Sequence, residues 1–220
     1  MKKTFIVANW KSNHTQESAT AWMHEMKKSL PQLPPEIQII ICPPFTLLPV
    51  CQTLTTSLAL PFAIGAQDVS PFGQGAYTGA VNAAQIKDFA SYVLIGHSER
   101  QKYFSENVGQ IKQKIEQAVA QNLSILFFVQ DEQALIPDGV TALVFEPPSA
   151  ISPGKPIVPE IANTVAQKYK SHYQTVLYGG SVSTENVKSY LQMDAIDGLV
   201  IGKDSLDATT FINLIAYATT

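Results

Sequence analysis

Glu146 opens the run Glu146-Pro147-Pro148 directly behind the apolar stretch 141–145, a lone carboxylate where a buried strand meets a loop. Two prolines fix φ and stiffen the start of that loop, so the side chain is held at one side of a hinge. A carboxylate that is aimed and desolvated in this way can act as a general base; capping the next turn is its plainer role. His97, in Ile95-Gly96-His97-Ser98-Glu99-Arg100, ends another apolar strand. Ser98 begins a helical turn, and amides at a helix start disfavour a protonated imidazole, which leaves a neutral ring able to polarise a carbonyl. A core histidine bonded to a backbone carbonyl is the alternative. Asn9 and Lys11 follow the first strand, where both can face the same mouth. There the lysine offers one positive charge to an anion or an enediolate, unless it is simply solvated, and Glu99 is placed to pair with it.

Two further strands end on Tyr178-Gly179-Gly180-Ser181-Val182 and Val200-Ile201-Gly202-Lys203. Glycines let backbone amides point inward, and a short helix after the last strand would add its dipole, so the pair forms two phosphate cradles. Each alone is commonly a tight turn. The stretch 65–79 is unusually long and glycine-rich for a strand–helix loop, and it carries Phe72 and Tyr77. A lid, a disordered loop or a protruding interface arm would suit it; such aromatics need burial, which argues against disorder, and a partner subunit can supply it, which favours self-association.

Bringing these groups together takes a repeated strand–helix frame. Apolar strand candidates are 4–8, 37–42, 62–66, 92–95, 124–129, 142–145, 175–178 and 197–201. Their near-continuous Val, Ile, Leu and Phe fits strands covered on both faces. Amphipathic helices are expected at 17–30, with Ala21, Trp22, Met26 and Leu30 on one face, and at 108–120, with Ile111, Ile115, Ala118 and Val119. Others fall at 161–172, 186–191 and 210–218. No linker interrupts the alternation, which argues for one α/β domain over 1–220, a closed (β/α)8 barrel rather than an open sheet. An open doubly wound fold needs a glycine-rich loop after an early strand, and 8–13 has no glycine. Between strands five and six, Pro137 and Gly139 leave room for little more than 132–136 as a helix.

With 15 Lys plus Arg against 18 Asp plus Glu, the net charge of -3 offers no basic surface for nucleic acid. The first apolar run, 5–8, is too short for a signal core, and no run reaches the roughly 18 residues of a membrane span, so a cytoplasmic protein is expected. Cys42 and Cys51 lack the spacing of a metal pattern and are expected to be core thiols.

Taken in order, Asn9-Trp10-Lys11, Gly65-Ala66-Gln67-Asp68 through Tyr77-Thr78-Gly79, Ile95-Gly96-His97-Ser98-Glu99-Arg100, Glu146-Pro147, Tyr178-Gly179-Gly180-Ser181-Val182 and 197–202 resemble the motifs of the triosephosphate isomerase family, over essentially the whole chain. The resemblance implies a barrel that interconverts D-glyceraldehyde 3-phosphate and dihydroxyacetone phosphate through an enediolate, with no cofactor and no metal. It implies Glu146 as the base and His97 as a neutral electrophile, a pairing that is the family's own and is carried over with it. Lys11 would stabilise the enediolate, Asn9 donate to substrate oxygens and Glu99 organise the lysine. Backbone amides near Ser152, Ser181, Gly202 and Lys203 would hold phosphate, and Pro147, Pro148, Ser149, Ala150, Ile151, Ser152 and Pro153 would form a closing lid. Thr78 would reach into the site of a neighbouring subunit, which implies a homodimer, with a tetramer as the alternative.

Departures from the family pattern are Ser149 before Ala150-Ile151 where a tryptophan is usual, Ser152 for a glycine, Pro153 for a threonine and Lys203 for a second glycine. The altered lid residues motivate a second reading, a non-catalytic relative that binds phosphometabolites. A different phosphosugar isomerase or an aldolase on the same barrel is the third.

Overall fold

Side chains alternate across a strand, so an apolar run covered on both sides divides into two layers. The computed structural model describes residues 3–150 and 156–218. In it, eight parallel strands close into a barrel in chain order. These are β1 Thr4–Asn9, β2 Ile37–Cys42, β3 Phe62–Ala66, β4 Tyr92–Ile95, β5 Ser124–Val129, β6 Ala142–Phe145, β7 Val176–Gly179 and β8 Gly198–Ile201. Closure comes from β1, where Ile6 pairs with Ile39 on β2 and with Leu199 on β8. Val7, Ile40, Leu94, Leu126, Val144 and Leu177 fill the interior as one buried cluster. Their strand neighbours Ile6, Ile39, Val93, Ile125, Leu143 and Val176 belong to the other, which packs against the helices.

The helices are α1 Gln16–Ser29, α2 Leu48–Ser57, α3 Ala83–Lys87, α4 Ser98–Tyr103, α5 Val108–Ala120, α6 Pro159–Lys170, α7 Val187–Leu191 and α8 Ala208–Ala218. Several starts are written locally. Thr15 with Ser18, Asn82 with Gln85 and Asn107 with Gln110 form reciprocal capping boxes, and α6 begins at a proline, whose missing N–H costs nothing there.

Two helix faces differ from expectation. α1 buries Ala19, Trp22, Met23 and Met26 and leaves Ala21 exposed; α5 buries Ile111, Lys114, Ile115 and Ala118 and leaves Val119 47% exposed. In both, the buried set follows the i, i+3, i+4, i+7 stripe, and the misplaced residue lies outside it. Strands β7 and β8 each begin one residue later than expected. Between β5 and β6 the chain forms turns without any helix. Gly139 adopts φ +91 there, and Tyr169 of α6 donates its hydroxyl to the Asp131 carbonyl, tying the shortened connection down. Among the described residues no helix is long and apolar enough to cross a membrane.

Candidate active site

Followed to its C-terminal end, the inward row of several strands finishes on a polar group or a glycine. On β1 it runs Phe5, Val7, Asn9; on β6, Ala142, Val144, Glu146; on β7 and β8, Leu177 to Gly179 and Val200 to Gly202. The parity that packs the interior therefore delivers Asn9 and Glu146 to one rim. His97 needs a different device, because alternation from Leu94 would turn it outward. Gly96, at φ +77, breaks the extended alternation, and a Cβ there would lie 2.9 Å from Phe127 Cε2. A cavity of about 210 Å³ results, lined among others by Asn9, Lys11, His97, Glu146, Ser181 and Lys203.

Glu146 and His97 are 8% and 5% exposed. Ser98 Oγ donates to Glu146 Oε2 at 2.6 Å, and Glu146 Oε1 lies 3.5 Å from His97 Nε2. Gly179 makes room for this carboxylate, since a Cβ on it would come within 3.1 Å of Val144 Cγ1 and 3.6 Å of Glu146 Cβ. The Glu99 N–H donates to His97 Nδ1 at 3.1 Å. An imidazole nitrogen that accepts carries no proton, so the network assigns the proton of the neutral ring to Nε2, on the side of Glu146. Burial holds His97 below the ordinary histidine value of 6.5 against the opposing charges of Glu146 and Glu99, with Lys11 and Arg100 adding to the depression. Phe128 supplies part of that apolar cover, its ring centroid 4.7 Å from the imidazole.

Lys11 adopts φ +52. Its N–H donates to Asn9 Oδ1 at 3.1 Å, and its carbonyl accepts from Gln67 Nε2 at 2.8 Å. The same Gln67 nitrogen donates to the Cys42 carbonyl at 2.8 Å, which links the ends of β1, β2 and β3. With Asn9 Oδ1 engaged, its amide NH2 remains as the donor for a guest in the cavity. Lys11 Nζ forms an ion pair with Glu99, the side-chain pairing expected from their positions.

Across the same rim, Ser181 Oγ donates to the Ala150 carbonyl at 3.0 Å, drawing the short turn Pro148–Ala150 against the glycine pair after β7. Pro147 and Ala150 are buried while Pro148 and Ser149 are exposed. Gly202 leads into the turn Lys203–Ser205, and Ser205 caps it by donating N–H and Oγ to the Gly202 carbonyl at 3.0 and 2.7 Å. Ile151, Ser152 and Pro153 lie outside the described residues. Thr78 is exposed on the stretch that follows β3, beside Phe72 and Tyr77, whose rings stack at 4.4 Å and 10°.

Three contributors escaped the sequence pattern: Ser98, Gln67 and Tyr190. Ser98 sits in the quoted histidine motif, but nothing local says that its hydroxyl meets a carboxylate 48 positions away. Tyr190 stacks on Tyr178 at 4.3 Å and 15° and donates to the Ile157 carbonyl. Cys42 and Cys51 are free and buried, and burial pushes both thiols up, Cys51 to about 12, so neither serves as a nucleophile at neutral pH. Among the described residues no group of three or more His, Cys, Asp or Glu is placed to hold a metal ion.

A family model described as triosephosphate isomerase matches residues 4–142 and 138–218. The triosephosphate isomerase of Dictyoglomus turgidum is 32% identical over 250 residues, covering 98% of this chain and 99% of its own. That of Mycoplasma pneumoniae is 31% identical over 245 residues, covering 96% and 97%. That of Thermus thermophilus is 29% identical over 253 residues, covering 99% and 100%.

Proposed function

The chain belongs to the triosephosphate isomerase family, and from that premise we propose that it interconverts dihydroxyacetone phosphate and D-glyceraldehyde 3-phosphate by proton transfer through an enediolate. One observation carries this reading: a buried carboxylate, Glu146, faces the protonated Nε2 of a neutral histidine across a cavity that a lysine also lines. Glu146 takes the proton from the carbon next to the carbonyl, and the electron pair of that C–H bond becomes the enediolate double bond. His97 Nε2–H and Lys11 stabilise the oxygen on which negative charge collects, and Asn9 donates beside them. Glu146 then returns its proton to the neighbouring carbon, while a proton passes between the two oxygens. No electrons are gained or lost overall. Glu99 organises Lys11 through their ion pair. The turns holding Ser181 and Gly202–Lys203, with Ser152, take the phosphate, and the stretch from Pro147 to Pro153 covers the bound substrate.

The same reading includes a homodimer. Phe72 and Tyr77 stack on one another yet remain 44% and 46% exposed, and they precede Thr78 on an exposed stretch that a second copy can cover.

The test is turnover of glyceraldehyde 3-phosphate by purified protein in a coupled dehydrogenase assay, with Glu146→Ala alongside. Fast turnover that falls by about 10³-fold or more in the variant supports the isomerase. Folded protein that binds a phosphate-bearing enediolate mimic without turnover points instead to a binding-only relative.

A further inference from the structure

Without Lys203 the cavity lining carries net negative charge. Among the described residues, those of charged type that line it are Lys11, Glu146, Lys203 and Asp204. Lys11 is paired with Glu99, which offsets part of its charge. His97 is held neutral by burial. With Lys203 set aside, the lining is negative through Glu146 and Asp204. A phosphomonoester brings close to two further negative charges at neutral pH. Such a guest needs a cation that is not already spent.

Lys203 is that cation by position. It lines the same cavity, its side chain is exposed, and no carboxylate among the described residues forms an ion pair with it. The backbone that carries it is fixed from below. Ser205, fully buried, ties the turn to the Gly202 carbonyl, and Trp22 Nε1 donates to the Ser205 carbonyl at 3.1 Å. The rigid base restricts where the lysine stem can reach, while its four-carbon chain lets the ammonium meet an oxyanion at the rim. Lys11 approaches from the other side: its Cε would lie 3.5 Å from a Cβ placed on Gly202. Lys11, paired with Glu99, and Lys203, with no ion-pair partner among the described residues, thus both meet the cavity at the end of β8.

We propose that the Lys203 ammonium is a specificity-determining charge that selects the dianionic phosphoryl group of the substrate, acting through its side chain beyond any role of its backbone amide. The inference rests on the proposed isomerase reading for the identity of the substrate, but not for the anion site itself. An exposed charge acts mainly on binding, is screened by salt, and acts equally on ground and transition states, so it moves KM and leaves kcat alone.

The experiment pairs Lys203→Gln and Lys203→Arg with the parent chain. Inorganic phosphate is titrated and followed by amide chemical shifts, and isomerase kinetics are measured at low and high salt. At low salt Lys203→Gln is expected to weaken phosphate binding and raise KM by about five-fold each, with kcat unchanged. The difference shrinks at about 0.5 M salt, and Lys203→Arg behaves like the parent. Equal phosphate binding by parent and Lys203→Gln at low salt overturns the proposal, as does undetectable binding by the parent. A fall in kcat at unchanged KM overturns it too. Phosphate binding that depends on Lys203 in a protein without isomerase activity would instead defeat the isomerase reading and leave the anion site standing.

Discussion

Ser98 Oγ donates to Glu146 Oε2 at 2.6 Å, and the residue that carries this hydroxyl directly follows His97. One turn of chain thus fixes Glu146 and carries His97. A hydroxyl on a carboxylate contributes about 1.5–3 kcal/mol to fixing it. Ser98→Ala is therefore expected to lower kcat by about ten- to a hundred-fold with KM little changed and the fold intact by circular dichroism. Unaltered kcat would remove Ser98 from any positioning role.

His97 is expected to be neutral at neutral pH, because burial lowers its pKa from 6.5 and the Glu99 N–H occupies Nδ1. Nitrogen-detected NMR of the ring should show the Nε2–H tautomer at neutral pH. The linkage to stability has a definite sign. A histidine depressed on folding binds its proton more readily in the unfolded chain, so its contribution is complete above 6.5 and is lost as pH falls through the folded value. A His97→Gln variant should therefore lose less stability than the parent on acidification through that window. A ring found protonated at neutral pH would contradict the assignment.

Away from the cavity, Lys114 is buried with Asp68 and Glu106, and Arg100 reaches both carboxylates. Glu106 Oε2 has no hydrogen-bond partner, so the group is already short of donors. Lys114→Met strands buried negative charge and is expected to cost about 3–5 kcal/mol in urea unfolding. Burial already raises the Asp68 pKa. Losing a cation raises it further, and a carboxylate raised on folding favours the fold at low pH and loses that contribution as pH rises through the folded value. The deficit should thus be larger near neutral pH than at about pH 4. A deficit under about 1 kcal/mol would show that the lysine is dispensable there.

How far these features could be read in advance depends on the distance over which each is decided. The barrel is written locally: runs such as 37–42 and 124–129 coincide with β2 and β5, because a strand buried on both faces is apolar throughout. Asn9 and Glu146 were legible for the same reason, since strand parity carries them to the rim. Helix faces were less so. Ala21 and Val119 sit one position from the buried stripe, and only the packed neighbours decide which side of the boundary is covered. Lys114 was invisible, because a lysine on an amphipathic helix signals the solvent side until Asp68, 46 positions away, is placed beside it. Gln67, which binds the Lys11 and Cys42 carbonyls at once, likewise acquires its role only when three strand ends meet.

The exposed pair of Phe72 and Tyr77 gives a direct test of assembly. Sedimentation of the parent chain at micromolar concentration is expected to show a dimer. Tyr77→Glu should shift it to monomer, because a carboxylate placed in an interface core must be desolvated. A parent that sediments as a monomer would rule out the proposed assembly.

Ala150 and Ile157 are both held by a single strand–helix unit. Ser181, just past β7, donates to the Ala150 carbonyl at 3.0 Å; Tyr190, on α7, donates to the Ile157 carbonyl. Tyr190 is 1% exposed and stacked on Tyr178, so Tyr190→Phe removes the hydroxyl while keeping the stack. Each lost hydrogen bond should cost about 1 kcal/mol of stability. If the two contacts act as one anchor on β7 and α7, losing one already loosens it, and losing the second adds little. The effects of Ser181→Ala and Tyr190→Phe on kcat/KM should therefore be less than additive, with a coupling of at least about 0.5 kcal/mol in a double-mutant cycle. Strict additivity would mean that the two contacts act independently, each stabilising only its own end.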